Sequence, residues 1–174
     1  MSSLYNYGIQ NDQSNFRVHV GFRVGAIYIF PTANGRKVAQ SKLYPFLPAW
    51  QPGWSDPTGG GYTVPWQSIP ECREIMIPPV LLSAIDCHRH ESTSEKGKKA
   101  ICIVQYMLWE GLIPLKLQTA EIDCKDLQLV GEDIIINQRI TLQVKCDYRC
   151  GAQDRGGTGN LYLQTEERNV FGYY

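Results

Sequence analysis

The chain has no apolar run approaching the ~18 residues that span a bilayer, so no transmembrane helix and no membrane partner are expected. It also has no charge excess, because 17 Lys and Arg balance 17 Asp and Glu over 174 residues. The general basic signature that marks many nucleic-acid binders is therefore missing, and any polyanion has to be met by a local patch. The opening MSSLYNYGIQNDQSNF lacks a basic n-region and an apolar h-region, so no secretory signal is expected. There is no internal repeat, low-complexity tract, G-x-S-x-G elbow or dinucleotide fingerprint. The triple glycine of PTGGGYT lacks the lysine and helix of a phosphate loop. A nucleophilic enzyme and a nucleotide-binding fold are both disfavoured. Cys72, Cys87, Cys102, Cys124, Cys146 and Cys150 are scattered with no C-x-x-C pair. Without an export signal they read as reduced thiols of a cytoplasmic protein rather than a disulfide framework.

What is present is a 43% hydrophobic share, enough for a core in a chain the size of one ordinary domain or a small domain with an appended lobe. Residues 1–90 read as a β-rich N-terminal lobe. FRVHVGFRVGAIYIFP alternates through Phe16, Val18, Val20, Phe22 and Val24 and becomes continuously apolar from Ile27 to Phe30. TANGRK supplies an Asn-Gly hairpin turn. Residues 45–70, rich in proline, glycine and tryptophan, read as a long loop. Its aromatic rings either staple the loop to the core or offer a stacking surface for unpaired bases.

Residues 91–174 carry the clearest helix. Ser92-x-x-Glu95 is a capping box, and Ala100, Ile101, Val104, Met107 and Leu108 recur at helical spacing before Gly111, a C-cap glycine. Gly97 in the first turn costs about 1 kcal/mol relative to alanine. IPLKLQTAEI then reads as a strand, DCKDLQLVG as a turn or short edge piece, and GEDIIINQRITLQVKCD as a hairpin about Asn137 and Gln138. DYRCGAQDRGGTGN reads as a loop and LYLQT as a final strand.

In the second arm of that hairpin, Gln143 and Lys145 share a face while Leu142, Val144 and Cys146 take the other. A lysine beside a core is costly unless it meets an anion. Asp133 heads the preceding arm, so carboxylate, amide oxygen and lysine converge at one sheet end. That set suits a hard divalent cation and a phosphate. Glu132 is expected to face away. Lys96, Lys98 and Lys99 sit at a helix N-terminus, where the dipole disfavours cations, so they read as a phosphate-contacting patch or a solvated basic face. Arg149 and Arg155 extend the patch. DCHRHE (86–91) reads as a surface patch with Arg89 open to phosphate rather than as a zinc site.

The helix with its early glutamate (SEKGKKAICIVQYML), GED at a strand head, LQVKCD and GTGNLYLQTEE together resemble the PD-(D/E)XK nuclease superfamily. The nearest likeness is to its phage-nuclease, resolvase-like and restriction-type branches, over about residues 92–167. The resemblance implies an α/β fold with a restriction endonuclease-like core, a mixed central sheet flanked by helices. It implies Mg²⁺ or Mn²⁺ held by Asp133, Gln143 and Glu95, with Lys145 as the catalytic lysine. It further implies a DNA substrate, a homodimer, and site-shaping positions at Asp147, Thr158 and Asn160, with Asn160 on the nucleic acid. Glu95 has a competing duty in the capping box. Gln143 stands where the family more often has glutamate, and the chain stops where longer relatives add a helix. The leading expectation is a metal-dependent nuclease hydrolysing DNA phosphodiester bonds. The alternatives are a non-catalytic nucleic-acid-binding or assembly protein on the same fold, and a structural β-rich protein such as a virion component.

Overall fold

In the strand β1 (Ser14–Gly21), Phe16, Val18 and Val20 point to one face and Arg17 and His19 to the other, and all five are buried. The coordinates are a computed structural model that describes residues 14–32, 54, 61–113, 122–127, 132–136 and 140–164. A strand covered on both faces belongs in the middle of a sheet, and β1 is placed there. It pairs antiparallel with β2 (Ala26–Pro31) and parallel with β7 (Ile140–Cys146). What reads in sequence as one alternating run is thus two strands. A tight turn at Phe22–Gly25 separates them, with Gly25 at φ +71° and its N–H bonded to the Gly21 carbonyl at 2.9 Å. The alternation survives because Phe22 and Val24 are themselves buried.

The six strands of the main sheet run β4-β2-β1-β7-β6-β5, with β4 at Arg73–Met76, β5 at Ile122–Leu127 and β6 at Glu132–Ile136. The β1–β7 pair is parallel and the other neighbours are antiparallel, so the molecule is mixed α/β with a mixed sheet. Strands before residue 90 (β4-β2-β1) form one half of it and strands after residue 90 (β7-β6-β5) the other, joined at the parallel β1–β7 pair. Ile122–Leu127 supplies the edge strand in the stretch that reads as a turn or short edge piece. The expected strand over 113–122, the Asn-Gly turn and the hairpin tip at 137–138 lie outside the described residues, apart from Ile113 and from Ile122, which opens β5.

One face is covered by α2 (Thr93–Trp109), with the short α1 (Pro79–Ala84) before it. The capping box forms as read: the Glu95 N–H donates to Ser92 Oγ at 3.1 Å, and the Ser92 N–H donates to Glu95 Oε1 at 3.3 Å. Ala100, Ile103, Val104, Met107 and Leu108 form the buried stripe against Phe16, Val18, Val20, Ile134, Leu142 and Val144. Ile103 takes the place that the spacing assigned to Ile101, which is only partly buried. The stripe repeats at i, i+3, i+4, i+7 and i+8, one helical face. Gly111 ends the helix in the left-handed region at φ +70°.

The other face is covered by a second, two-stranded sheet of β3 (Gly61–Pro65) and β8 (Asn160–Gln164). Tyr62, Val64, Leu161 and Leu163 pack there with Ala26, Tyr28, Phe30 and Trp54. The expectation of loop up to residue 70 is therefore corrected. Residues 61–65 form a strand because β8, far along the chain, supplies its ladder partner, and Pro65 then closes it into a 3-10 turn at Trp66–Ser68.

Candidate polar site on the β6–β7 hairpin

Ile134 pairs with Leu142 across the β6–β7 ladder. One step further along that register sets Asp133 opposite Gln143, and Lys145 follows two residues on along the same face. Asp133 Oδ2 accepts the Val144 N–H at 2.8 Å, a charge-assisted bond that closes the ladder end. Carboxylate, amide and lysine thus share one face of the hairpin. The site differs from the expectation in its burial, since Asp133 is 6% and Gln143 7% exposed.

The reason lies across the parallel ladder. Its successive partners are Asn15 with Thr141, Arg17 with Gln143, and His19 with Lys145. Thr141 Oγ1 donates to Asn15 Oδ1 at 2.5 Å, and Arg17 Nη1 donates to Gln143 Oε1 at 2.7 Å. Arg17 Nε donates to His19 Nε2 at 3.1 Å. An arginine has only donors, so Nε2 accepts and the imidazole proton sits on Nδ1, which donates to Asp147 Oδ2 at 3.2 Å. That carboxylate oxygen also accepts the Tyr162 N–H at 2.9 Å. A continuous network therefore runs from Gln143 through Arg17 and His19, all buried, to the half-buried Asp147 and on to Tyr162 in β8. Burial lowers the His19 pKa and Arg17 pushes the same way, against the opposing pull of Asp147. The ring also stacks on Phe30 with centroids 5.9 Å apart. Arg17 and His19 carry no local sequence signal, because their partners are supplied from the far end of the chain.

This donor set does not fit a divalent cation. The Gln143 oxygen is engaged by a guanidinium. An ion about 2.1 Å from that oxygen would lie within about 4.8 Å of Arg17 Nη1, a repulsion on the order of 7 kcal/mol at an effective dielectric of about 20. No group of three His, Cys, Asp or Glu side chains able to hold a metal is found among the described residues. Glu95 is not brought to Asp133. It is exposed at the start of α2, on the opposite side of the sheet, and its carboxylate is used by the cap, accepting from Ser92 Oγ at 2.9 Å. Burial pushes the Cys72 and Cys146 thiols up to about 12, which suits core packing rather than metal ligation.

One of the three lysines at the α2 N-terminus finds an anion inside the protein. Lys99 Nζ pairs with Glu91 Oε2 at 2.7 Å and also donates to the Asp86 carbonyl. Lys96 Nζ donates to the Arg89 carbonyl at 3.4 Å. The bond from Lys99 lowers the Glu91 pKa, helped by the His88 N–H. Two of the three lysines thus tie the 86–91 loop to the helix, while Lys98 is exposed. Arg155 pairs with Glu74, which also accepts from the Tyr28 hydroxyl at 2.7 Å. Arg149 is exposed, and Asn160 opens β8 opposite Pro65. No described helix is long and apolar enough to cross a membrane. The chain matches no family model, no curated protein and no solved structure.

Proposed function

We propose that this chain is a nucleic-acid-binding protein built on a restriction endonuclease-like hairpin, in which the protein's own guanidinium occupies the place a metal would take. The observation that carries the non-catalytic part of the reading is the Arg17–Gln143 bond of 2.7 Å in a row of buried polar side chains. It turns the one amide oxygen of the set into an acceptor for a permanent cation. Polyanion contact is supplied from the carboxyl ends of the parallel strands, where open α/β sheets commonly bind ligands. Arg23 and Arg149 are exposed there on segments held by the Arg23 N–H to Tyr148 carbonyl bond at 3.0 Å and the Thr158 N–H to Arg149 carbonyl bond at 2.9 Å. Binding to DNA at low salt is expected, with affinity falling steeply as salt rises. Cleavage of plasmid, single-stranded and branched DNA in Mg²⁺ or Mn²⁺ is expected to be no greater for wild type than for Asp133→Ala.

A second reading, a metal-dependent nuclease hydrolysing DNA phosphodiester bonds, is favoured by the register that brings Asp133, Gln143 and Lys145 to one face. Metal-dependent cleavage by wild type, lost in both Asp133→Ala and Lys145→Ala, would establish it over the first. Neither cleavage nor low-salt binding would leave a structural protein.

A further inference from the structure

A pocket of about 690 Å³ opens between β4, the 3-10 turn after β3 and the loop before β8. It shares no residue with the Arg17–Asp133 row. Its lining includes Trp66, Gln67, Glu74, Gln153, Arg155 and Asn160. The walls are braced. The Trp66 ring is tilted against Tyr28 with centroids 5.0 Å apart. The loop closes on itself through the Gly157 N–H to Ala152 carbonyl bond at 2.9 Å and the Gly159 N–H to Gly151 carbonyl bond at 2.6 Å. Gly151, at φ +98°, leaves no room for a Cβ beside the Tyr28 ring.

The charge inside decides the ligand class. Glu74 is satisfied by Arg155 and the Tyr28 hydroxyl, and Asp154 remains, so the lining as a whole does not favour a phosphate. What it offers is the half-buried Trp66 in one lining with the side-chain amides of Gln67, Gln153 and Asn160. A flat, uncharged ring with donors and acceptors on its edge matches that lining. Arg23 lies against Gly156, next to the pocket-lining Arg155, its Nε 3.3 Å from where a Cβ on Gly156 would stand. We infer that the pocket takes one unpaired nucleobase of a single strand, stacked on Trp66 and read on its edge by the amides, with the adjoining backbone phosphate on Arg23. The inference rests on the nucleic-acid reading above and names the form of nucleic acid this surface selects.

The test is fluorescence anisotropy with three probes: a short labelled single strand, the same strand with abasic sugars, and its duplex. Abasic substitution and Trp66→Ala are each expected to weaken single-strand binding by about 5- to 150-fold, while Trp66→Phe stays within about threefold. Duplex affinity should not change. Because Trp66 also braces Tyr28, Gln67→Ala on an exposed side chain gives a second reading, with an expected loss of about 2- to 10-fold. Equal binding of abasic and base-bearing strands, or Trp66→Ala at wild-type affinity, overturns the pocket while salt-dependent DNA binding persists. No binding of wild type to any of the three probes overturns the pocket and the nucleic-acid reading together.

Discussion

His19 sits between a donor that never loses its proton and a carboxylate, inside a core that excludes water. Burial and Arg17 hold its folded pKa below the ordinary 6.5, and Lys145 on the facing strand adds to the same effect. Asp147 opposes them without prevailing. The unfolded chain takes up a proton near pH 6.5 and the folded chain only below that. Between those two values the unfolded state binds more protons, so stability declines as pH falls through the window and levels off beneath it. The melting temperature is therefore expected to drop from about pH 7.5 to 5.5, with a flatter profile in His19→Gln. Superimposable slopes for the two proteins would rule His19 out as the source. At this scale the strand alternation of Gln143 and Lys145, and the nearness of Asp133, were legible, since period-two geometry is local. Arg17 was not legible, because its contact with Gln143 joins residues 126 apart in sequence.

Helix α2 is the element whose sequence signals and structure agree most closely. Its start is written by Ser92 and Glu95, its end by Gly111, and its buried face by apolar spacing, all within one segment. The lysines of its first turns show where local reasoning stops. The dipole argument left a phosphate-contacting patch and a solvated basic face open, and for Lys99 the preceding loop supplies a partner in Glu91. Gly97 is a further case. A Cβ built there meets nothing within 4 Å, so no close approach requires a glycine. Gly97→Ala should thus stabilise the protein by about 1 kcal/mol, through the backbone entropy glycine loses in a helix. A chemical-denaturation midpoint that rises with unchanged slope would show it, and an unchanged or lower midpoint would contradict it.

Over the whole molecule, the decisive fact is that β1 lies between β2 and β7. Residues 91–174 contain α2, β5, β6 and β7, yet the apolar face of α2 also packs on Phe16, Val18 and Val20 of β1. Removing residues 1–90 would expose that surface and leave β7 with an unpaired edge. A fragment of residues 91–174 is accordingly expected to show no cooperative thermal transition by circular dichroism. A sharp, native-like transition in the fragment would mean that the sheet stands without its central strand. The sequence alone determined the helix, its caps and the strand alternation that puts Gln143 and Lys145 on one face, because each is set by residues a few positions apart. Only the tertiary structure decided that the N-terminal strand enters the sheet beside β7 and brings a buried arginine to Gln143. Parallel pairing joins segments through contacts that neither strand's own pattern encodes, and that pairing sets a guanidinium on the amide oxygen that was expected to face a metal.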